Sequence, residues 1–295
     1  MSAIDLDAYF ERIGYAGERA PTLAVLTALQ RAHPAAIPFE SLDPFLGRPV
    51  RIDPASLEAK LLRGGRGGYC FENNGVFWRV LEALGFEVTP LSARVRWMAP
   101  DDAPPAPLSH MILRVTLPEG PFLCDVGFGG QSPTAPLRFD PGAEQPTAHG
   151  TYRLMPQDAV WELQMRLPDR WAAMYRFNLE PRVLADYETA NWFTSTHPDS
   201  RFTNNLIASL APEGRRLNLF NTELTTHFAD GRMEQRRIGS PGELHQVLTG
   251  TFGLRVDQGE AERMFQRLTI PSSEAARPAR PPSFDPSPSR GEGSG

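Results

Sequence analysis

The chain has 295 residues, 41% hydrophobic and 22% charged, with a net charge of −5, the composition of an ordinary soluble globular protein with length for one large domain or two to three subdomains. Acidic and basic residues are interspersed, so no broad electropositive field exists; this argues against nucleic acid or an anionic membrane as the main partner and leaves small anionic ligands open. Two cysteines without a CxxC, Cys70 and Cys124, argue against a disulfide scaffold and a structural zinc site, and fit a reducing cytoplasm.

The opening "MSAIDLDAYFERIGY" carries no apolar run behind a basic patch, so no signal peptide is expected, and nothing approaches the roughly 18 apolar residues of a membrane span. Residues 1–85 read as helices. "PTLAVLTALQRA" spaces Leu23, Leu26 and Leu29 helically behind Pro21, taken as a first-turn residue. "DPASLEAKLLRGG" offers Asp53 as N-cap, Pro54 at the first helical position and Gly64 as the stop. A third helix starts near Cys70, behind "RGGRGGY", and ends at Leu84-Gly85.

From residue 86 to about 185 the period becomes two. "SHMILRVTL" alternates Met111, Leu113, Val115 and Leu117 against His110, Ile112, Arg114 and Thr116, and "VWELQMRL" and "RWAAMYRF" alternate likewise. Turn-rich segments separate them, giving a barrel-like β subdomain. Residues 186–270 mix both types: a helix around "PRVLADYETANWF", a strand in "RFTNNLIASL", a hairpin in "RRLNLFNTELTTHFADGRMEQRRI", a capping box in "SPGE", and a last amphipathic helix "QGEAERMFQRL". The Pro- and Ser-rich segment 271–295 cannot bury enough apolar area to offset ordering and reads as a disordered tail. The fold class is α+β.

Cys70, at a helix N-terminus after glycines, has the surroundings of a reactive thiol, because unpaired amides and the helix dipole favour an anion; read alone, it is equally a small hydrophobe filling the helix start. Cys124, inside "PFLCDVG", reads as core. A nucleophilic thiol needs a base, and the base an orienting partner. Of six histidines, His149 and His245 read as solvated, His227 as solvent-facing, and His33 and His197, each before a proline, as turn or packing residues. His110 stands beside an apolar strand face, and Asp125 sits within an apolar run on the next strand, where a carboxylate is costly unless partnered. Each has a bland reading, a satisfied core histidine and a backbone-capping carboxylate, but the two fall on strands joined by a short turn. A two-residue turn on Glu119-Gly120 leaves them on one face yet four positions out of opposition, so a bulge near Gly127 or Gly129 is expected to re-aim one.

"RGGYCFENN", "SHMILRV" and "LCDVGFGG", in that order, together with "AAIPFESLD" and "STHPDSRF", resemble the arylamine N-acetyltransferase family over about residues 5–270, with the short spacing after "VGFGG" of its bacterial members. The resemblance implies a helical subdomain carrying nucleophile Cys70, a β-barrel carrying base His110 and orienting Asp125, and an α/β lid, on an architecture related to papain-like and transglutaminase-like enzymes. It implies ping-pong acetyl transfer from acetyl-CoA, the co-substrate, to an arylamine or hydrazine, without a metal, by a cytoplasmic monomer or homodimer. Gly129 and Gly130 could present amides to a pyrophosphate; their other reading is a bend at a strand end. Phe39, Phe128 and Phe202 could wall an aromatic pocket, and Arg66 and Glu40 could pair to hold the "RGGYC" turn. Rival readings are an amide synthase of the same family, a Cys-His-Asp thioesterase or peptidase, and an inactive binding module.

Overall fold

The computed structural model describes residues 4–100 and 102–269; the expected tail at 271–295 lies outside them. Elements α1 (Leu6–Ile13) and α2 (Leu23–Ala36) are followed by the two-residue strand β1 (Phe39–Glu40), then α3 (Leu42–Phe45), α4 (Pro54–Leu57) and α5 (Cys70–Ala83). Asp53 accepts the Ser56 amide and Pro54 opens α4, which continues as a π-helical turn to its cap at Gly64. Helix α2 is capped by the Thr22 hydroxyl, which leaves Pro21 outside it, and it continues through Pro34 to Ala36.

Eight strands follow: β2 (Glu87–Val95), β3 (Leu108–Leu117), β4 (Gly120–Cys124), β5 (Leu137–Arg138), β6 (Gln145–Thr147), β7 (Gly150–Gln157), β8 (Val160–Arg166) and β9 (Trp171–Phe177). They form one sheet in the order β5-β4-β3-β2-β9-β8-β7-β6, rolled into a nearly closed barrel. At the seam no backbone ladder joins β5 to β6. Instead the Gln145 side chain accepts the Arg138 amide at 2.7 Å and donates to the Arg138 carbonyl at 2.9 Å, standing in for a peptide group. Strand β3 is buried on both faces. Met111, Leu113, Val115 and Leu117 pack on the helices, while Ile112 joins Leu91, Leu154 and Tyr175 inside the barrel.

The remainder comprises α6 (Leu184–Thr196), α7 (Arg201–Asn204), strands β10 (Ile207–Leu210), β11 (Arg215–Phe220), β12 (Glu223–Phe228) and β13 (Met233–Arg237), then α8 (Pro241–Gln246) and α9 (Gln258–Thr269). The expected strand over "RFTNNLIASL" is split: Ser200 caps a helical turn through Asn204, and only the second half is extended. The expected hairpin is three strands. The second sheet runs β1-β10-β11-β12-β13, so its first strand comes from the N-terminal region. Phe39 pairs with Ser209 and Glu40 with Ala208. Arg66 donates twice to Glu40 Oε1, at 2.9 and 3.1 Å, with Glu40 fully buried.

The β3–β4 turn differs from expectation. Leu117 pairs with Gly120, so Pro118 and Glu119 make the turn. Gly120 has φ +119°, a value that favours glycine, yet it is already the first residue of β4. Continuing that register sets Asp125 opposite Ile112, two positions diagonal from His110, which side chains of this length span without a bulge. The register shifts lie elsewhere, at Ala93/Arg94 and Leu163/Gln164.

Candidate active site

Cys70 is the first residue of α5, and the turn before it exists only because Gly67 and Gly68 have no side chains. A Cβ on Gly67 would stand 2.1 Å from the Pro38 carbonyl oxygen, and one on Gly68 2.6 Å from Glu72 Cβ. The helix start is secured from within. Glu72 accepts the Tyr69 amide at 3.0 Å through one oxygen and the Lys60 ammonium at 2.6 Å through the other. Burial drives the Glu72 carboxyl up to about 7, against the opposing pull of Lys60. Cys70 is 3% exposed and its thiol donates to the Ser109 carbonyl at 3.6 Å. The Cys70 amide has no partner among the described residues, as befits a first-turn N–H.

His110 Nε2 stands 2.7 Å from Asp125 Oδ2. A carboxylate only accepts, so Nε2 carries the proton, and the Cys70 thiol, whose own hydrogen bond goes to the Ser109 carbonyl, is the other side chain that favours the charged ring. Asp125 is fully buried, and its Oδ1 accepts from Asn74 Nδ2 and the Gly127 amide, both at 2.9 Å. Burial opposes both charges. The mutual attraction across 2.7 Å outweighs it, raising His110 from 6.5 to about 10 and holding Asp125 below the ordinary carboxylate range. The rings of Phe128 and Tyr175, with centroids 5.2 and 5.0 Å away, clamp the imidazole.

Cys70 and His110 open onto a cavity of about 330 Å³, and every other site residue singled out from the sequence except Asp125 lines it: Phe39, Phe128, Phe202, Gly129 and Gly130. Asp125 lies behind His110. Trp97, Asn218 and Arg201 also line the cavity; Arg201 falls inside the "STHPDSRF" block, while nothing in the sequence points to Trp97 or Asn218. Asn74 is a further addition: besides holding Asp125 it donates to the Met111 carbonyl at 2.7 Å and accepts the Val126 amide at 2.9 Å. Its signal is present in the sequence, since it lies one helical turn beyond Cys70, on the same face of α5. Cys124 is buried in the core as expected.

Two of the histidines set aside differ from expectation. His149 is half-buried, hydrogen-bonded to Thr134 and to the Pro212 carbonyl, and His245 bonds the Val256 carbonyl; neither is simply solvated. His227 is exposed, His33 is packed between Tyr9 and Asn73, and His197 ends α6. Among the described residues no group of three or more His, Cys, Asp or Glu side chains could hold a metal ion, and no helix is long and apolar enough to cross a membrane.

The family model described as N-acetyltransferase matches residues 22–261. The arylamine N-acetyltransferase of Mycobacterium tuberculosis H37Rv is 43% identical over 270 residues, covering 90% of this chain and 95% of that protein. The Escherichia coli K12 protein of the same name is 41% identical over 257 residues, covering 86% and 90%. The solved structure of Mycobacterium marinum arylamine N-acetyltransferase in complex with CoA superposes with a TM-score of 0.86 at 40% identity, covering 90% of this chain and 99% of that one. The Salmonella typhimurium enzyme superposes at 0.85 with 37% identity, covering 88% and 97%.

Proposed function

Because this chain belongs to the arylamine N-acetyltransferase family, we propose that Cys70, His110 and Asp125 act as its catalytic triad in moving an acetyl group from acetyl-CoA to the nitrogen of an arylamine, arylhydrazine or hydroxyarylamine. The observation that carries this reading is the buried His110–Asp125 pair, 2.7 Å apart, whose imidazole opens together with Cys70 onto one cavity walled by Phe39, Phe128 and Phe202. With the thiol proton held on His110 as the imidazolium, which Asp125 stabilises, the Cys70 thiolate attacks the thioester carbonyl carbon. The oxyanion forms beside the free Cys70 amide. Collapse breaks the carbon–sulfur bond to CoA, whose sulfur recovers the proton from the imidazolium, leaving S-acetyl-Cys70. The amine then attacks that carbonyl, gives its proton to His110, and the Cys70 thiolate departs. Asp125 keeps Nε2 protonated throughout, so the nitrogen facing sulfur is the one that cycles.

A thioester and an S-acetyl-cysteine are near one another in energy, so the first transfer is reversible and the amine makes it productive. Gly129 and Gly130 serve the CoA end, and the three phenylalanines serve the aromatic acceptor. The proposed working state is a monomer or homodimer, and the two free thiols suit a reducing cytoplasm. Mass spectrometry of protein mixed with acetyl-CoA alone tests the reading. One added acetyl group, absent from Cys70→Ala, is expected. Labelling that survives that substitution, or none in the unsubstituted protein, refutes it.

A further inference from the structure

Arg216, on β11, is 5% exposed, yet no carboxylate lies within ion-pair distance of it among the described residues. Its guanidinium is spent on neutral acceptors. Nη1 donates to the Gly130 carbonyl at 3.0 Å, and Nη2 to the Ser132 carbonyl at 2.9 Å and the Tyr152 hydroxyl at 2.8 Å. Nε donates to the His149 carbonyl at 3.1 Å. Burying a cation without a counter-charge is costly, so something at this place must repay the field it generates.

What surrounds it is the loop that follows Asp125. In a trans peptide the C=O and N–H point in opposite directions. With the Gly130 carbonyl turned inward to Arg216, the Gln131 N–H is turned the other way, toward the cavity that Gly130 and Gln131 line. The loop's other amides divide sharply. Those of Gly127, Phe128 and Ser132 bond Asp125, Ser132 Oγ and the Gly129 carbonyl, whereas those of Gly129, Gly130 and Gln131 have no partner among the described residues. Three successive unpaired amides, with Gly129 at φ +84°, form an anion-binding concavity of the kind that backbone nests make. Gly130 cannot be larger, since a Cβ there would stand 2.0 Å from Asn218 Oδ1.

We infer that Arg216 is a positioning residue for the acyl donor. It pins the loop by its carbonyls so that the Gly129, Gly130 and Gln131 amides face the cavity, and its buried charge makes that nest selective for a phosphate-bearing ligand. This rests on acetyl-CoA being the donor, whose pyrophosphate is the anion on offer. Arg216 touches neither sulfur nor acetyl group, so donors without phosphate should be nearly indifferent to it.

The test compares Cys70 acetylation by acetyl-CoA and by p-nitrophenyl acetate, which has no phosphate, in the full-length protein and in Arg216→Met. The expected result is an approximately tenfold shift in the ratio of the two efficiencies against acetyl-CoA, about 1.4 kcal/mol, appearing in KM rather than kcat. Inorganic pyrophosphate should slow acetylation by acetyl-CoA in the unsubstituted protein and lose that effect in the variant. An equal fall with both donors would make Arg216 a structural strut only, and an unchanged ratio would overturn the inference as well. Should Arg216→Met fail to fold, Arg216→Gln and Arg216→Lys decide by the same ratio; the lysine variant keeps the charge but not the fork, so a partial recovery is expected. If acetyl-CoA does not acetylate the unsubstituted protein, it is the proposed function that fails. Pyrophosphate protection of Cys70 against iodoacetamide, present before and absent after substitution, then still decides whether the nest exists.

Discussion

Replacing Asp125 with asparagine changes one atom's chemistry and leaves the shape intact, and the surroundings dictate how the new side chain must sit. Two donors, Asn74 Nδ2 and the Gly127 amide, converge on Oδ1 at 2.9 Å each, so the carbonyl oxygen of the new amide takes that position and its NH₂ faces His110. An NH₂ donates, so His110 Nε2 becomes the acceptor and the proton moves to Nδ1. The neutral ring of the variant then carries its proton on the nitrogen facing the Cys70 sulfur and has no lone pair there to receive another. The electrostatic part is large as well. Burial alone would lower the His110 pKa, and the carboxylate instead raises it from 6.5 to about 10, a preference of about 5 kcal/mol for the charged ring. Asp125→Asn is therefore expected to slow Cys70 acetylation by about 10³–10⁴-fold, read by quenched-flow mass spectrometry, with little change in fold by circular dichroism. A loss below about tenfold would refute the tautomer argument.

The same pair predicts a pH dependence of stability. His110 binds its proton more tightly folded than unfolded, so its contribution is complete below pH 6.5 and is lost as pH rises toward about 10. In a Cys70→Ser background, which removes the thiol's titration, denaturant melts should show stability falling across that window with Asp125 present and staying flat once Asp125→Asn is added; matching slopes would count against the ion pair. Gly127→Ala puts a Cβ 2.9 Å from Cys70 Cα and 2.7 Å from Asn74 Nδ2. It should cost about 1–3 kcal/mol of stability together with most of the acetylation rate, and an enzyme unaffected in both would show that the approach relaxes freely. Arg66→Ala removes the guanidinium hydrogen-bonded to buried Glu40, leaving it the Leu42 amide and the nearby Lys60 charge, at a cost of up to about 3 kcal/mol; a thermal midpoint equal to that of the unsubstituted protein would deny the pair its structural role.

The parts of the site legible in the sequence are those whose reason is local. Cys70 after glycines at a helix start, and two polar residues stranded in apolar strands, announce themselves by being out of place. The β3–β4 register misleads because Gly120 looks like a turn residue, and its positive φ is real, but it is already paired with Leu117. The short helix at Arg201–Asn204 escapes notice because its cap, Ser200, adjoins a stretch that reads as extended. Arg216 and His149 sit in stretches whose polarity reads as solvent-facing, while their partners are carbonyls more than sixty residues away in sequence. Long-range satisfaction of this kind leaves no periodic trace. Asn74 does leave one, in its spacing from Cys70.

The two-residue strand β1 makes a demand on the order of synthesis. Phe39 is delivered by the first forty residues, but its ladder partner, Ser209, emerges from the ribosome much later, as does the Asn218 that closes the same wall. A chain that ends at β9 contains the nucleophile, imidazole and carboxylate in its sequence but lacks Phe202, Asn218 and the strand that Phe39 pairs with, all of which lie on the chamber's wall or its ladder. The wall that shields the sulfur from bulk water is therefore finished last, by residues more than a hundred and thirty positions beyond Cys70.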